Sequence, residues 1–256
     1  MPLQAVSALS SCTLFPMLLK RWLLRGFLGL LVFSGPFLLS ACAAEQAPQA
    51  VGCGAAGLAP CLQGQALIRL ETTRGSIELG LDGAAAPLTA GNFLDLVRRG
   101  VYNGTAFHRV VREPVPFVVQ GGDPTSVDPT VPATAYGQGD FVDPATGRAR
   151  SIPLELKLSS ESVPRYGMQL AAPSQLRQLQ LSHERGALAM ARSQSPDSAS
   201  AQFYIALQSL PELDGRYAVF GRVVNGMEVV DRIQQGDRIL KATLIDQGQA
   251  PAAPRP

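Results

Sequence analysis

The chain has 256 residues, 46% of them hydrophobic and 16% charged, a globular composition able to form one sizeable core. Its formal net charge of +2 is set by Lys20, Arg21 and Arg25, which precede residue 42 with no acidic residue among them; the rest of the chain carries 19 basic residues against 20 acidic ones. That near-neutral remainder offers no basic stripe for nucleic acid, and no nucleic-acid partner is expected.

Residues 1–41 read as a leader. The three basic residues precede an apolar run from Gly26 to Leu39, too short for a comfortable membrane span and of the length of a signal-peptide core. The run ends in Leu39-Ser40-Ala41-Cys42, which resembles the lipobox of bacterial lipoproteins. The resemblance implies cleavage before Cys42, acylation of that cysteine, and a lipid anchor on a bacterial membrane facing the periplasm or an equivalent space. Each buried acyl methylene would add about 0.8 kcal/mol to such an anchor. Residues 42–65, rich in Ala, Gln, Gly and Pro without an apolar period, are expected to form a lipidated tether. Within it Cys53 and Cys61 bracket a short loop. An exported compartment sustains disulfides, so a Cys53–Cys61 bridge is expected, with two free thiols as the alternative. Two sulfurs are too few for a metal site, and no metal or cofactor is expected.

A folded domain is expected over residues 66–246. Ile68, Leu70 and Thr72 alternate toward a Thr-Arg-Gly turn, and Ile77, Leu79 and Leu81 return, which predicts a hairpin. Pro87 suits the first position of a helix that carries Phe93, Leu96 and Val97 on one side and stops at Gly100. After the turn signal Tyr102-Asn103-Gly104, two strand-like runs, 107–111 and 117–120, flank a proline-bearing connection. Each run exposes one polar group among hydrophobes: Arg109 in the first, Gln120 in the second. Residues 124–185 hold seven prolines and four glycines in 62 positions and read as a long insertion, with short strands expected near 152–156 and 176–181. His183 at its end is expected to be a surface or hydrogen-bonded residue. Strand signals return at 187–190, 203–206, 218–224 and 239–245. A second helix is expected after Asn225 as cap, with Met227, Val230 and Ile233 on one face and Gly236 at its end. Residues 247–256 read as a disordered tail. Many strands with two helices argue a mostly β domain, a closed antiparallel barrel with a helix at each mouth.

Three ordered blocks carry a family resemblance: Phe107-His108-Arg109 with Phe117 and Gln120-Gly121-Gly122-Asp123, then 186–205 with its Met190-Ala191 and Gln202-Phe203-Tyr204, then Leu213-Asp214-Gly215 with Val219-Phe220-Gly221. The chain resembles the cyclophilins, the peptidyl-prolyl cis/trans isomerases, and the resemblance implies a closed eight-stranded antiparallel barrel capped by two helices. It further implies Arg109 as catalytic donor, Phe117, Val118 and Leu213 around a proline pocket, and Gln120 on the substrate backbone. Ala191, Gln202, Tyr204 and Tyr217 match positions of the same groove, and His108 matches the neighbour of the arginine. Three positions depart from the pattern: Val118 stands where many members have methionine, Glu212 where well-studied members have tryptophan, and Tyr217 where they have histidine. The expected partners are proline-containing polypeptides. A non-catalytic binding module and a chaperone acting through the 124–185 insertion are the competing functions on the same scaffold.

Overall fold

The computed structural model describes residue 53 and residues 59–248. The leader, Cys42, most of the tether and residues 249–256 lie outside the described residues. Strands β1 (Gln65–Thr72) and β2 (Gly75–Asp82) form the expected hairpin. Their register sets Ile68 opposite Leu79 and Leu70 opposite Ile77, so the period of two places Ile68, Leu70, Ile77, Leu79 and Leu81 on one buried face and leaves Leu67 half-buried on the other. Helix α1 (Pro87–Arg98) begins at the proline and stops before Gly100, which takes a φ of +70°.

There follow β3 (Arg109–Val110), β4 (Val118–Gly121), the short pairs β5 (Val142–Asp143) with β6 (Arg148–Ala149) and β7 (Glu155–Leu156) with β8 (Arg165–Tyr166), and the one-turn helix α2 (Pro173–Leu176). The last elements are β9 (Ala187–Met190), β10 (Phe203–Ala206), β11 (Val219–Asn225), α3 (Met227–Val230) and β12 (Ile239–Gly248). Eight strands form one antiparallel sheet in the order β12-β1-β2-β11-β9-β10-β4-β3. Its two edges meet at a single bridge, Ala106 with Arg238, where the Phe107 N–H donates to the Asp237 carbonyl at 2.8 Å and the Ile239 N–H to Thr105 at 2.9 Å. The barrel is therefore joined at its seam by a bridge and not by a full ladder. Strand β3 contributes only two residues, because Pro114 and Pro116 beyond it have no N–H to donate.

Phe93 of α1 sits in the barrel with ring centroids 4.8 Å from Tyr102, 5.3 Å from Phe203 and 5.2 Å from Phe220. Burying a side chain of this size contributes about 2 to 3 kcal/mol. Strands β4, β9 and β10 are the exception to one-sided burial. Val119, Leu188, Met190, Phe203 and Ile205 face this core, while Val118, Ala187, Ala189, Tyr204 and Ala206 form a second apolar cluster on the other face.

Four boundaries differ from the sequence expectation. Asn225 is the last residue of β11 and does not cap; Gly226, with φ +86°, takes the cap position of α3, which lasts four residues before the chain turns toward Gly236. Residues 176–181 form no strand: α2 and its following turns occupy the region, leaving one bridge between Leu158 and Leu179. Gln247 and Gly248 belong to β12, the latter opposite Gln65, so the ordered strand runs into the expected tail. The tether ends earlier than residue 65. Leu62 is buried and its N–H donates to the Pro87 carbonyl at 2.9 Å, and a Cβ on Gly91 would lie 2.0 Å from the Pro60 carbonyl oxygen. Cys53 and Cys61 are joined by a disulfide, with Cα atoms 5.8 Å apart.

The 124–185 insertion is packed against the domain. Leu154, Leu156, Leu158 and Leu170 make a small core of their own with Ala218. Glu155, 1% exposed, reaches the start of α1 and accepts from the Leu88 N–H at 3.1 Å and the Thr89 N–H at 2.7 Å. A carboxylate from the distant strand β7 thus performs the capping that the Ala86 methyl, at the N-cap position, cannot provide. Glu155→Leu is expected to lower the unfolding free energy by about 2 to 4 kcal/mol, and Glu155→Gln by roughly half as much, in urea unfolding. Unchanged midpoints in both variants would contradict this tie between insertion and helix.

Candidate active site

The outer face of β3, β4 and β10 carries a row set by strand register. Arg109 lies opposite Gln120, and Gln120 lies opposite Tyr204. Residues directly opposite on antiparallel strands share a face, so Arg109, Gln120 and Tyr204 line up without help from a loop. The Arg109 guanidinium is exposed, donates to Gln120 Oε1 across 3.4 Å and lies 5.8 Å from the Phe117 ring centroid. Gln120 Nε2 donates to Gln202 Oε1 at 3.3 Å, and Gln202 Nε2 to the Gly139 carbonyl at 3.0 Å. Among the described residues no carboxylate lies in ion-pair range of Arg109. Its remaining donors point to solvent above an apolar floor.

That floor is the second apolar cluster. Val118 and Tyr204 are buried in it, and Phe117, Ala191, Leu213 and Tyr217 pack partly exposed around it. Six residues drawn from three separate blocks of the sequence are therefore one surface. His108 stands apart. Its ring packs where a Cβ on Gly137 would be 3.1 Å away, and both ring nitrogens are buried without a hydrogen-bond partner. Burial lowers its pKa, against the attraction of Asp123. His108 is half-buried against Gly137, on the side where Gln202 also approaches that glycine.

The Gln120-Gly121-Gly122-Asp123 run has a reason at each position. Gln120 belongs to the row above. A Cβ on Gly121 would come within 2.9 Å of Phe107, and Gly122 has a φ of +85° with a Cβ position 2.8 Å from Phe203. Asp123, fully buried, accepts from the Thr125 N–H and hydroxyl at 2.8 Å each, the Gly137 N–H at 2.5 Å and the Gly139 N–H at 3.2 Å. Burial pushes its carboxyl upward, but these four bonds outweigh it and hold the group below its ordinary value. By fixing Gly139, Asp123 also fixes the carbonyl that orients Gln202. Beyond Gln120 and Gln202 the groove opens into a polar cavity of about 340 Å³ lined by Gly137, Asp140, Arg192, Ser198 and Ser200.

A model of the cyclophilin type peptidyl-prolyl cis-trans isomerase family matches residues 67–248. The chain belongs to the cyclophilins. It is 38% identical over 196 residues to a protein of Synechocystis named as a thylakoid lumen peptidyl-prolyl cis-trans isomerase, a match covering 73% of this chain and 48% of that one, so the chain spans about half the length of that relative. A probable peptidyl-prolyl cis-trans isomerase of Brucella melitensis is 33% identical over 221 residues, 81% of this chain and 96% of that protein. Among solved structures, a Cryptosporidium parvum cyclophilin type isomerase in the presence of the dipeptide Ala-Pro superposes with a TM-score of 0.51 at 25% identity, over 70% of this chain and 99% of that one.

Sequence reasoning about this cyclophilin missed Asp123 as an organiser and Arg192, whose guanidinium lies 4.7 Å above the Tyr217 ring; of the two settings expected for His183, surface or hydrogen-bonded, the structure shows the second, with bonds to Asp214 and Tyr204. Asp123 was legible in principle, being an Asp two residues before a Thr after a glycine pair, an Asx-turn signal. Asp123→Asn replaces one accepting oxygen with a donor that faces two N–H groups and is expected to cost about 2 kcal/mol in urea unfolding at pH 7. The depressed carboxyl makes this contribution fully present above its unfolded pKa and lost as the pH falls through the lower folded value. The wild-type and variant stabilities should therefore converge at strongly acid pH; a gap that persists there would contradict the assignment.

Proposed function

We propose that the chain is a peptidyl-prolyl cis/trans isomerase whose groove holds a proline ring on the Phe117, Val118, Leu213 floor while the Arg109 guanidinium stabilises the twisted amide. One observation carries this reading: an exposed, carboxylate-free arginine stands at the rim of the apolar surface on which Phe117, Val118, Ala191, Tyr204, Leu213 and Tyr217 converge. Rotation about a prolyl amide is slow because resonance sets a barrier of about 20 kcal/mol. At the top of that barrier the amide is twisted and its nitrogen has regained a lone pair. A guanidinium N–H that meets this lone pair binds the twisted form better than the planar one, which is what lowers a barrier. A charged hydrogen bond worth about 1.5 to 3 kcal/mol corresponds to about 10- to 150-fold in rate. Gln120 orients the substrate backbone at the same time, next to the arginine. No proton is transferred and no covalent bond is made.

The substrates are proline-containing segments of exported or membrane-adjacent polypeptides. The basic leader, the apolar run and Cys42 in its lipobox-like setting support export with a lipid anchor, and the thylakoid-lumen name of the Synechocystis relative supports an exported location. The Ala-Pro dipeptide named with the Cryptosporidium structure supports the substrate class. Glu212 is exposed beside Leu213 and gives the groove an acidic edge in place of an aromatic one. Arg109→Ala is expected to reduce kcat/KM on an Xaa-Pro peptide by at least about tenfold, with folding unchanged. Arg109→Lys should fall between them, because an ammonium keeps the charge and loses the planar fork. Turnover insensitive to both substitutions would remove Arg109 from the mechanism.

A further inference from the structure

Beneath the groove runs a buried polar chain that the isomerase mechanism above does not use. His183 is 1% exposed; its Nδ1 lies 2.7 Å from Asp214 Oδ1 and its Nε2 lies 2.8 Å from the Tyr204 hydroxyl. The same Asp214 oxygen accepts the His183 backbone N–H at 2.9 Å, and the His183 carbonyl accepts the Leu210 N–H at 2.8 Å. The ring is thereby held at both ends. Tyr204 stacks on it, with centroids 6.0 Å apart and planes 13° from parallel, and meets Tyr217 edge-on at 5.9 Å.

The hydrogen-bond order follows from the donor inventory. A carboxylate only accepts, so His183 Nδ1 carries the proton, and Nε2 is left to accept the Tyr204 O–H. We infer that His183 is a positioning residue for prolyl isomerisation: held by Asp214 in this one tautomer, it fixes the Tyr204 ring as a wall of the substrate groove. This role rests on the isomerase reading. Were Nε2 to gain a proton, it would donate to the Tyr204 oxygen, and the Tyr204 O–H, having lost its acceptor, would have to turn toward another.

The titratable and charged groups that face His183 are Asp214 and Glu212 from the 211–214 turn and Tyr204 from β10; Tyr204 in turn faces Tyr217 and Arg192. Burial lowers the His183 pKa and exceeds the opposing pull of Asp214 and Glu212. Burial likewise raises the Tyr204 hydroxyl well above its ordinary value. Neutral histidine and protonated tyrosine are thus the working forms at neutral pH.

The test is kcat/KM on an Xaa-Pro peptide between pH 5 and 8 for the wild-type chain, His183→Gln and His183→Leu, with folding followed by circular dichroism at each pH. The wild type should hold a plateau near neutrality and lose activity with a midpoint below the ordinary histidine pKa of about 6.5. His183→Gln, whose amide can both accept from Tyr204 and donate to Asp214, should retain activity within about threefold and lose the acid limb. His183→Leu leaves the Tyr204 hydroxyl unpaired and should drop kcat/KM about tenfold at pH 7.5. Should His183→Leu fail to fold, the pH profile of His183→Gln decides alone. Variants that keep both the wild-type rate and its acid limb overturn the positioning role and leave the isomerase reading intact. A folded wild-type chain that does not accelerate isomerisation overturns both.

Discussion

Two-sided burial of three adjacent strands is the constraint on which this cyclophilin depends. In β4, β9 and β10 the alternation of strand side chains places one set, with Phe203 and Ile205, in the barrel core and the other, with Val118, Ala189 and Tyr204, on an outer face that is apolar as well. A strand apolar on both faces needs a cover on each. The barrel interior and α1 cover one. The other is only partly covered, by Phe117, Leu181, Leu213 and Tyr217, and the uncovered part is the groove. Register then does the rest, because the pairing that buries Phe203 against the core also brings Gln120 and Arg109 to the groove's rim. A slip of one residue would send all of these side chains to the wrong face.

The chemistry proposed for this site is conformational, and that accounts for what the groove contains. Amide rotation needs a surface that grips one side of the bond, a donor that prefers the twisted nitrogen, and little else. The polar groups nearby serve orientation. Asp123 holds Gly139, Gly139 holds Gln202, and Gln202 holds Gln120 beside Arg109. On the opposite flank Asp214 holds His183 and His183 holds Tyr204. Two buried carboxylate-led chains thus brace the groove from two sides, each beginning in a turn and ending on a strand.

Most of the barrel was legible in the sequence because its signals are local. The β1–β2 hairpin announces itself by alternation, and α1 by Pro87, Gly100 and the spacing of Phe93, Leu96 and Val97. The groove residues were legible only as an ordered set resembling a family, since Phe117 or Tyr204 alone reads as core. What was not legible was set by contacts distant in sequence. Nothing near Glu155 indicates that it caps a helix 67 positions earlier, and nothing near Leu62 indicates that it packs under Pro87. The expected strand over 176–181 failed because Pro173 starts a helical turn whose leucines are used by the insertion's own small core. Asn225 failed as a cap because the adjacent Gly226 takes the left-handed conformation more cheaply.

The central claim is that one outer-face groove both binds and rotates a prolyl bond. It is tested most directly by exchange nuclear magnetic resonance on an Ala-Pro peptide whose cis and trans signals are resolved, with the labelled chain observed in the same sample. Cross-peaks between the isomers should appear on a sub-second timescale at catalytic amounts of chain, against a spontaneous exchange of about tens to hundreds of seconds. The peptide should shift the signals of Phe117, Leu213 and Tyr217. Exchange left at the spontaneous rate, or shifts confined to residues away from β4 and β10, would contradict it.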